Sequence, residues 1–387
     1  MTRSVVIVAA RRTPIGKGHP ERGDLRSVHP VDLGATVLEA VLTDAEVDPR
    51  EVDMVHFGCV GQIGEQSTNI SRQALLAADF PVSVPASTVD HQCGSSEFAI
   101  HMAAAFIAAG VHDIVIAGGV ESMSRIPMGA SFLHGPGTPF PPSVMAKYAL
   151  TNQGLAAEMI AEEWHLTREA CDDLACTSQD RAAAADAQGA FEKEIVPVIV
   201  TEEESSRTIS HDQGIRPGTT RETLAALKPA FREDGILHAG NSSQISDGAA
   251  ALLLMSEEEA RRRGMTPLAR IASHVSVGVD PVTMLKGPIP ATRQLLAQSK
   301  HHVDDIDLFE INEAFAPVVL AWQHELGADL AKVNVNGGAI ALGHPLGASG
   351  ARLMTTLVHS MIARNAHLGV QSMCCGGGLG IATLLER

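Results

Sequence analysis

Short runs of apolar residues alternate along this chain with longer segments in which apolar residues recur every three or four positions. The run at 5–10 is typical of a strand buried on both faces, and 31–42 has the periodicity of an amphipathic helix. Further elements follow, namely strands at 53–58, 87–89 and 114–117 and an Ala-rich helix at 95–109. This alternation predicts an α/β fold whose sheet is covered on both faces.

The pattern repeats once along the chain. Segment 53–57 resembles 307–311, the strand, turn and helix around Cys93 resemble those around His344, and 116–119 resembles 374–377. The offsets are 254, 251 and 258 residues (307 − 53, 344 − 93 and 376 − 118). Three matches in the same order predict a duplicated α/β unit.

The composition changes between the two repeats. Pro, Gly, Ser and Met crowd into 122–142, Ala- and Glu-rich helices are predicted at about 154–188, and a tight turn and buried strand return at 246–252. These changes predict three regions, which are an N-terminal half at 1–118 completed by about 244–267, an inserted loop domain at 119–243, and a C-terminal half at 268–387.

Composition narrows the possible functions. The 387 residues are 45% hydrophobic and 19% charged, which is typical of a soluble globular protein with two or three domains. The net charge of −16 argues against binding to nucleic acid, and the absence of a membrane-length apolar stretch argues against membrane insertion. The six cysteines lack the spacing of a disulfide framework, so we interpret them as thiols of a protein in the cytoplasm.

Two segments place a reactive side chain in a turn. Cys93 lies where a strand meets a helix, and the free amides of a helix N-terminus favour a thiolate at neutral pH; a buried structural thiol is the alternative. His344 lies in 336–350 among five glycines, whose freedom suits a ligand-lined turn, although a structural histidine fits as well. A phosphate-binding loop is disfavoured because the segment lacks a Walker ending and the G-x-G-x-x-G spacing.

Two further candidates follow predicted strands. Cys374 and Cys375 precede a glycine-rich turn at 376–380, whose backbone amides can form an oxyanion hole. Metal or redox chemistry is the alternative for this thiol pair, but the chain has no second cysteine pair with zinc-like spacing. Asn312 can orient a water or polarise a carbonyl without adding charge, or it can cap a helix.

Taken together and in this order, these motifs resemble the thiolase family over essentially the whole chain. The matching motifs are RRTPIGK (11–17), GVESMS (119–124), NEAF (312–315), GHP (343–345) and C-x-GGG (374–378), besides the Cys93 segment. The resemblance implies duplicated α/β halves in a five-layered αβαβα arrangement with an inserted loop domain. It also implies a homodimer or homotetramer.

The resemblance implies a role for each catalytic position. Cys93 would accept the acyl group of a 3-oxoacyl-CoA, His344 would exchange protons with Cys93 and CoA as an imidazole titrating near neutrality, and Cys374 would protonate the acetyl-CoA carbanion. His344 and a water bound by Asn312 would hold one oxyanion, and the backbone amides of Cys93 and Gly376 would hold the other. Coenzyme A would be a co-substrate, with no permanently bound cofactor and no metal.

Positions matching the family's CoA site lie mainly in the inserted domain. By resemblance, Arg216 lies near the adenine and ribose end of CoA and Ser243 near the pantetheine. Phe231, Met284 and Phe315 would line the pantetheine and acyl pocket. Because the chain carries a net charge of −16, an anionic ligand such as CoA needs favourable contacts within its own binding site.

Three segments depart from the short-chain members of the family. Asn-Gln-Gly at 152–154 replaces His-Met-Gly, Gln244 stands where glycine is common, and Asp-His-Gln at 90–92 replaces the usual Asn-Arg lead-in. These segments look most like bacterial thiolases that degrade bulky acyl chains in fatty-acid or steroid degradation. One alternative is a biosynthetic acetoacetyl-CoA thiolase. Another, from a different class, is a non-catalytic acyl-CoA or lipid-binding protein, against which the four intact catalytic positions argue.

Overall fold

A computed structural model describes residues 3–133, 136–202 and 205–387. Its strands are β1 Val5–Arg12, β2 Gly16–Lys17, β3 Met54–Gly58, β4 Ala86–Val89, β5 Ile114–Ser122, β6 Val198–Glu202, β7 Ser205–Ile209, β8 Ser246–Ser256, β9 Ala269–Gly278, β10 Leu308–Ile311, β11 Leu368–Cys375 and β12 Leu379–Glu386. Its helices are α1 Pro30–Ala45, α2 Ile70–Ala77, α3 Ser95–Ala108, α4 Ala130–Leu133, α5 Pro142–Met145, α6 Gln153–Glu163, α7 Arg168–Ala187, α8 Arg221–Ala225, α9 Glu257–Arg262, α10 Pro288–Ser299, α11 Ala316–Leu326, α12 Ala339–Leu342 and α13 Ser349–Arg364.

Most strands join a continuous mixed sheet in the order β10-β11-β12-β9-β1-β8-β5-β3-β4, with β2 paired to β8, and β6 and β7 form a separate two-stranded sheet. In the first half, β4, β3 and β5 run parallel, while β8 runs antiparallel to β5 and β1. In the second half, β10 and β11 run parallel, while β12 runs antiparallel to β11 and β9. The two halves share this connectivity and meet where β1 pairs with β9.

The pairing register fixes the offset between the duplicated halves. Met54 lies opposite Val115 in the first half, and Leu308 lies opposite Gly369 in the second. Each of the two paired strands in the second half therefore lies 254 positions after its counterpart in the first half (308 − 54 and 369 − 115). The duplicated unit that the sequence predicts is present in the fold.

The same shift relates helices α3 and α13, which begin at Ser95 and Ser349. Two of the three sequence matches were consequently misaligned. The match of Cys93 with His344 was wrong by three residues, and the match of 116–119 with 374–377 was wrong by four. Both matches rested on shared glycines, whereas the register is fixed by the pairing of the apolar strands.

Alternate residues of each strand face different helical layers. Leu253 of β8 packs in the cluster with α1 and α2, whereas Leu252 packs with α3 and α13. In the second half, Leu384 of β12 packs with α10 and α11, and Leu385 packs with the central helices. The layers are thus αβαβα, with α3 and α13 in the middle. No helix in the described ranges is long and apolar enough to span a bilayer.

The chain between β5 and β8 lies outside the large sheet. Helices α6 and α7 occupy the region where the sequence predicts Ala- and Glu-rich helices. The fully buried Arg12 of β1 ties this region to the sheet, because it donates to Glu194 at 2.6 Å and to both oxygens of Asp212 at 2.7 and 2.8 Å. Ser246 begins a long buried strand, so the tight turn predicted there is absent.

Candidate active site

The turn before α3 holds Cys93 by local hydrogen bonds. Gln92 has a left-handed backbone conformation with φ of 51°. The Ser95 hydroxyl accepts the His91 N–H at 2.9 Å and donates to the Gln92 carbonyl at 2.5 Å. Cys93 is only 4% exposed, because it packs in a cluster with Leu353, Met373, Cys375 and Ile381.

The Cys93 sulfur accepts hydrogen bonds from neutral donors. The Gly376 N–H donates to it, and the Gln153 side-chain nitrogen lies 4.0 Å away. Burial nevertheless raises the pKa of Cys93 to about 11. The expectation of a thiolate at neutral pH is therefore wrong for this conformation, because burial outweighs the donors.

The turn before α13 fixes His344 from both sides. Gly343 has φ of 109°, and a Cβ there would lie 2.3 Å from the Ser246 hydroxyl, so only glycine fits. Nδ1 of His344 lies 2.6 Å from the Ser349 hydroxyl, which donates its own hydrogen to the Pro345 carbonyl at 2.8 Å. We infer that Nδ1 carries the proton, which leaves Nε2 as an acceptor.

The imidazole of His344 is neutral in this site. Burial lowers its pKa to about 3, and the nearby Arg352 guanidinium acts in the same direction. The expectation of an imidazole titrating near neutrality is therefore wrong. A neutral ring with an unprotonated Nε2 can still accept a proton from a thiol. Nε2 lies 3.4 Å from the side-chain nitrogen of Asn312.

Cys374 and Cys375 end β11 with their side chains on opposite faces. Cys374 packs in the cluster that contains Met284 and Phe315, whereas Cys375 packs in the cluster that contains Cys93. Burial, with a contribution from nearby Cys93, raises the pKa of the Cys374 thiol. Cys374 is therefore protonated at neutral pH and has a proton to donate.

The two parts of the candidate site lie at the same strand ends. The Asn312 N–H donates to the Ser372 carbonyl at 3.0 Å, two residues before Cys374 on β11. Leu346, in the turn after His344, packs against the cluster that contains Cys93. The structure thus places Cys93 near Cys374, and the Asn312–His344 pair beside the same end of β11.

The candidate CoA-binding residues form a less compact group. Phe231 and Phe315 are in edge contact, with ring centroids 5.6 Å apart, and Met284 belongs to the same cluster. The Ser243 N–H donates to the Ala314 carbonyl, which places Ser243 beside Phe315. The exposed Arg216 is connected to this region through Gln244, whose Oε1 lies 3.3 Å from an Arg216 nitrogen.

The sequence did not identify three residues that shape the site. Gln153 was noted only as a departure in the pocket wall, and Ser349 only as part of the glycine-rich segment. Glu121 is 2% exposed and accepts the N–H groups of Val60 and Gly347 at 2.9 Å each. Its presence in the GVESMS motif, inside a strand pattern, was the available signal. Within the described ranges, no three His, Cys, Asp or Glu side chains are grouped to hold a metal ion.

Comparison with known proteins gives consistent matches over the whole chain. Residues 5–258 match the family "Thiolase, N-terminal domain", and residues 265–387 match "Thiolase, C-terminal domain". The chain is 46% identical to the steroid 3-ketoacyl-CoA thiolase FadA6 of Mycobacterium tuberculosis, covering 100% of this chain and 95% of that protein. It is 45% identical to an acetyl-CoA acetyltransferase of Escherichia coli, covering 100% and 99%. The crystal structure of the Bacillus anthracis acetyl-CoA acetyltransferase is similar with a TM-score of 0.92 at 41% identity, covering 100% and 99%.

Proposed function

Because this chain belongs to the thiolase family, and is therefore an acyltransferase, we propose that it cleaves 3-oxoacyl-CoA with coenzyme A in fatty-acid or steroid degradation. One observation carries the proposal. The sulfur of Cys93 accepts the Gly376 N–H beside Cys374, and the Asn312–His344 pair lies at the same strand ends.

In the first half-reaction, the Cys93 sulfur attacks the C3 carbonyl of the substrate. His344 accepts the thiol proton at Nε2, the C2–C3 bond breaks, and the acyl group stays on Cys93. Acetyl-CoA leaves as an enolate, and Cys374 gives its proton to the C2 carbon. The raised pKa of Cys374 suits this role, since it keeps the proton available at neutral pH.

In the second half-reaction, the thiol of a free CoA attacks the acyl-Cys93 carbonyl. The bond between that carbonyl carbon and Cys93 breaks, and the shortened acyl-CoA leaves. His344 returns the proton that it took from Cys93 to the Cys374 thiolate. It then takes the proton of the CoA thiol and gives it to the departing Cys93, so that both cysteines end the cycle protonated. The N–H groups of Cys93 and Gly376 would stabilise the carbonyl oxygen during acyl transfer, and Asn312 with His344 the enolate oxygen.

The proposal assigns CoA binding to the inserted domain at 119–243. Phe231, Met284 and Phe315 form an apolar wall continuous with Cys374, which suits the pantetheine arm and the acyl chain. Ser243 is next to this wall, and Arg216 offers a cation at the exposed end, near the phosphates and adenine of CoA. CoA is then a co-substrate rather than a resident cofactor.

The degradative direction is favoured over acetoacetyl-CoA synthesis by the pocket wall. Asn-Gln-Gly at 152–154 differs from the His-Met-Gly that is usual in short-chain members of the family, and a steroid 3-ketoacyl-CoA thiolase is among the relatives. We also propose a cytoplasmic homodimer or homotetramer. The exposed rings of Phe132 and Phe140, 6.5 Å apart, offer apolar surface for a second copy.

Turnover with a series of 3-oxoacyl-CoAs tests this function. Acetoacetyl-CoA is compared with longer and branched substrates in the presence of CoA, and mass spectrometry of the quenched enzyme identifies the acylated residue. We expect higher kcat/KM with the larger substrates and the acyl mass on Cys93. A clear preference for acetoacetyl-CoA would favour the biosynthetic alternative, and binding of acyl-CoA without turnover would favour a non-catalytic carrier.

A further inference from the structure

The first turn of α6 lies against the acyl pocket and has little freedom to move. The Asn152 side chain accepts the Leu155 N–H at 3.0 Å and so caps the helix. A Cβ on Gly154 would lie 2.1 Å from the Phe231 ring, so the helix backbone is in close contact with the pocket wall. Gln153, between the cap and this contact, therefore extends from a fixed backbone.

The Gln153 side chain reaches the reacting sulfur. Its nitrogen lies 4.0 Å from the Cys93 sulfur, at the outer limit for a hydrogen bond to sulfur. A Cβ on Gly376 would lie 3.1 Å from the same nitrogen. The amide is therefore next to both the nucleophile and the backbone N–H that already donates to it.

The surroundings of this sulfur provide neutral donors instead of a cation. The titratable groups that act on Cys93 or share its surroundings are Cys374 and Cys375 on β11, Glu121 on β5, Asp90 and His91 in its own turn, and His344. Burial lowers the pKa of both histidines, so neither is cationic at neutral pH, and the Glu121 charge opposes ionisation of Cys93. Neutral N–H donors are consequently the groups that can stabilise a thiolate here.

We propose that Gln153 is a positioning residue whose side-chain NH₂ group donates to the Cys93 sulfur and stabilises it as the attacking thiolate and as the leaving group. This role rests on the proposed function of Cys93 as the acyl carrier. An amide is suited to the task because it adds donors without placing a charge in a buried site, where an unpaired charge is costly.

The test compares Gln153→Met with Gln153→Glu, in a Cys176→Ala background that removes a half-buried competing thiol. Methionine keeps the length and removes the donors, while glutamate keeps the shape and replaces them with a carboxylate. Gln298→Met, on the exposed face of α10, is the matched control. Alkylation of Cys93 by iodoacetamide is followed by mass spectrometry between pH 7 and 9.5.

We expect Gln153→Met to slow Cys93 alkylation about 10- to 100-fold at a given pH, which moves the profile one to two pH units higher. Gln153→Glu slows it further, kcat for thiolysis falls while KM changes little, and Gln298→Met behaves like the parent. An unchanged alkylation profile in Gln153→Met would overturn the proposal. If that variant does not fold, Gln153→Asn, which withdraws the amide by one methylene, must give an intermediate profile.

Alkylation needs no substrate, so the two proposals can fail separately. If the parent enzyme forms no acyl-Cys93 but Gln153→Met still lowers the alkylation rate, only the proposed function is contradicted. Acyl-Cys93 formation with an alkylation profile that does not depend on residue 153 contradicts the role of Gln153 alone.

Discussion

The turns that carry Cys93 and His344 lie at equivalent places in the two halves, yet they are held differently. Each precedes a helix that begins with serine, at Ser95 in α3 and Ser349 in α13. The Ser95 hydroxyl bonds to the His91 N–H and the Gln92 carbonyl, both of the backbone, whereas the Ser349 hydroxyl bonds to the imidazole of His344. The duplication has kept a serine at the start of the helix and changed the group that it holds.

Packing between the halves holds both turns. A Cβ on Gly347, in the His344 turn, would lie 2.6 Å from the Cys59 backbone, and one on Gly350 would lie 2.4 Å from the Glu97 nitrogen. In the Cys93 turn, a Cβ on Gly94 would lie 2.7 Å from the Cys375 sulfur of the second half. Contact between halves thus positions both the nucleophile and the base, and the serine hydroxyls make the difference between the two turns.

The largest expected effect comes from removing the nucleophile Cys93, which distinguishes its role from that of the base His344. Cys93→Ala should lower kcat by roughly 10⁴-fold or more, because no other group can carry the acyl chain. Steady-state thiolysis with CoA measures this loss. Cys176→Ala, on α7 and away from the site, is the control and should keep parental activity. Comparable activity in Cys93→Ala would remove the distinction between nucleophile and base.

Asn312, whose side chain contacts His344, can be tested in the same way. Asn312→Ala should lower kcat about 10²- to 10³-fold with little change in KM, since it removes one preorganised donor at the oxyanion site. Asn312→Asp has the same shape but carries a negative charge, so it should be no better. Activity retained in Asn312→Asp would show that shape rather than hydrogen-bond donation matters there.

The pH dependence of Cys93 alkylation tests the protonation states of Cys93 and His344. The pKa of Cys93 is raised to about 11, so its thiolate fraction, and with it the alkylation rate, should rise about tenfold per pH unit from pH 7 to 9.5. A cysteine paired with a protonated His344 would instead be alkylated at a nearly constant rate above neutrality. A plateau below pH 8 would therefore contradict the neutral pair.

The serines provide the smallest and most specific test. Ser349→Ala should lower kcat by up to about tenfold, because the imidazole loses the hydrogen bond that orients it. Ser95→Ala should instead lower the free energy of unfolding by about 1–3 kcal/mol, since the His91 N–H is left without its side-chain partner. Chemical denaturation and kinetics on both variants give the comparison. Equal losses of kcat would show that the two serines act alike.

The sequence predicted the strand and helix pattern, because apolar periodicity is a local signal. The reactive residues that it indicates through the glycine-rich turns stay a prediction. The sequence did not predict the protonation states. The pKa of His344 depends on burial and on Arg352, which follows it by eight positions but acts only through the folded packing. Nor did it predict the reach of Gln153 to Cys93, since that contact joins the inserted region to a turn 60 positions away. Such contacts require the tertiary structure.

The position of β8 has a consequence for how the protein is made. This strand pairs with β5 on one side and β1 on the other, although the whole inserted region separates it from both in the chain. During synthesis, β1 and β5 leave the ribosome long before the strand that lies between them. The nascent polypeptide therefore carries two unpaired apolar strand edges until β8 emerges, and this interval is when aggregation or chaperone binding has its best opportunity.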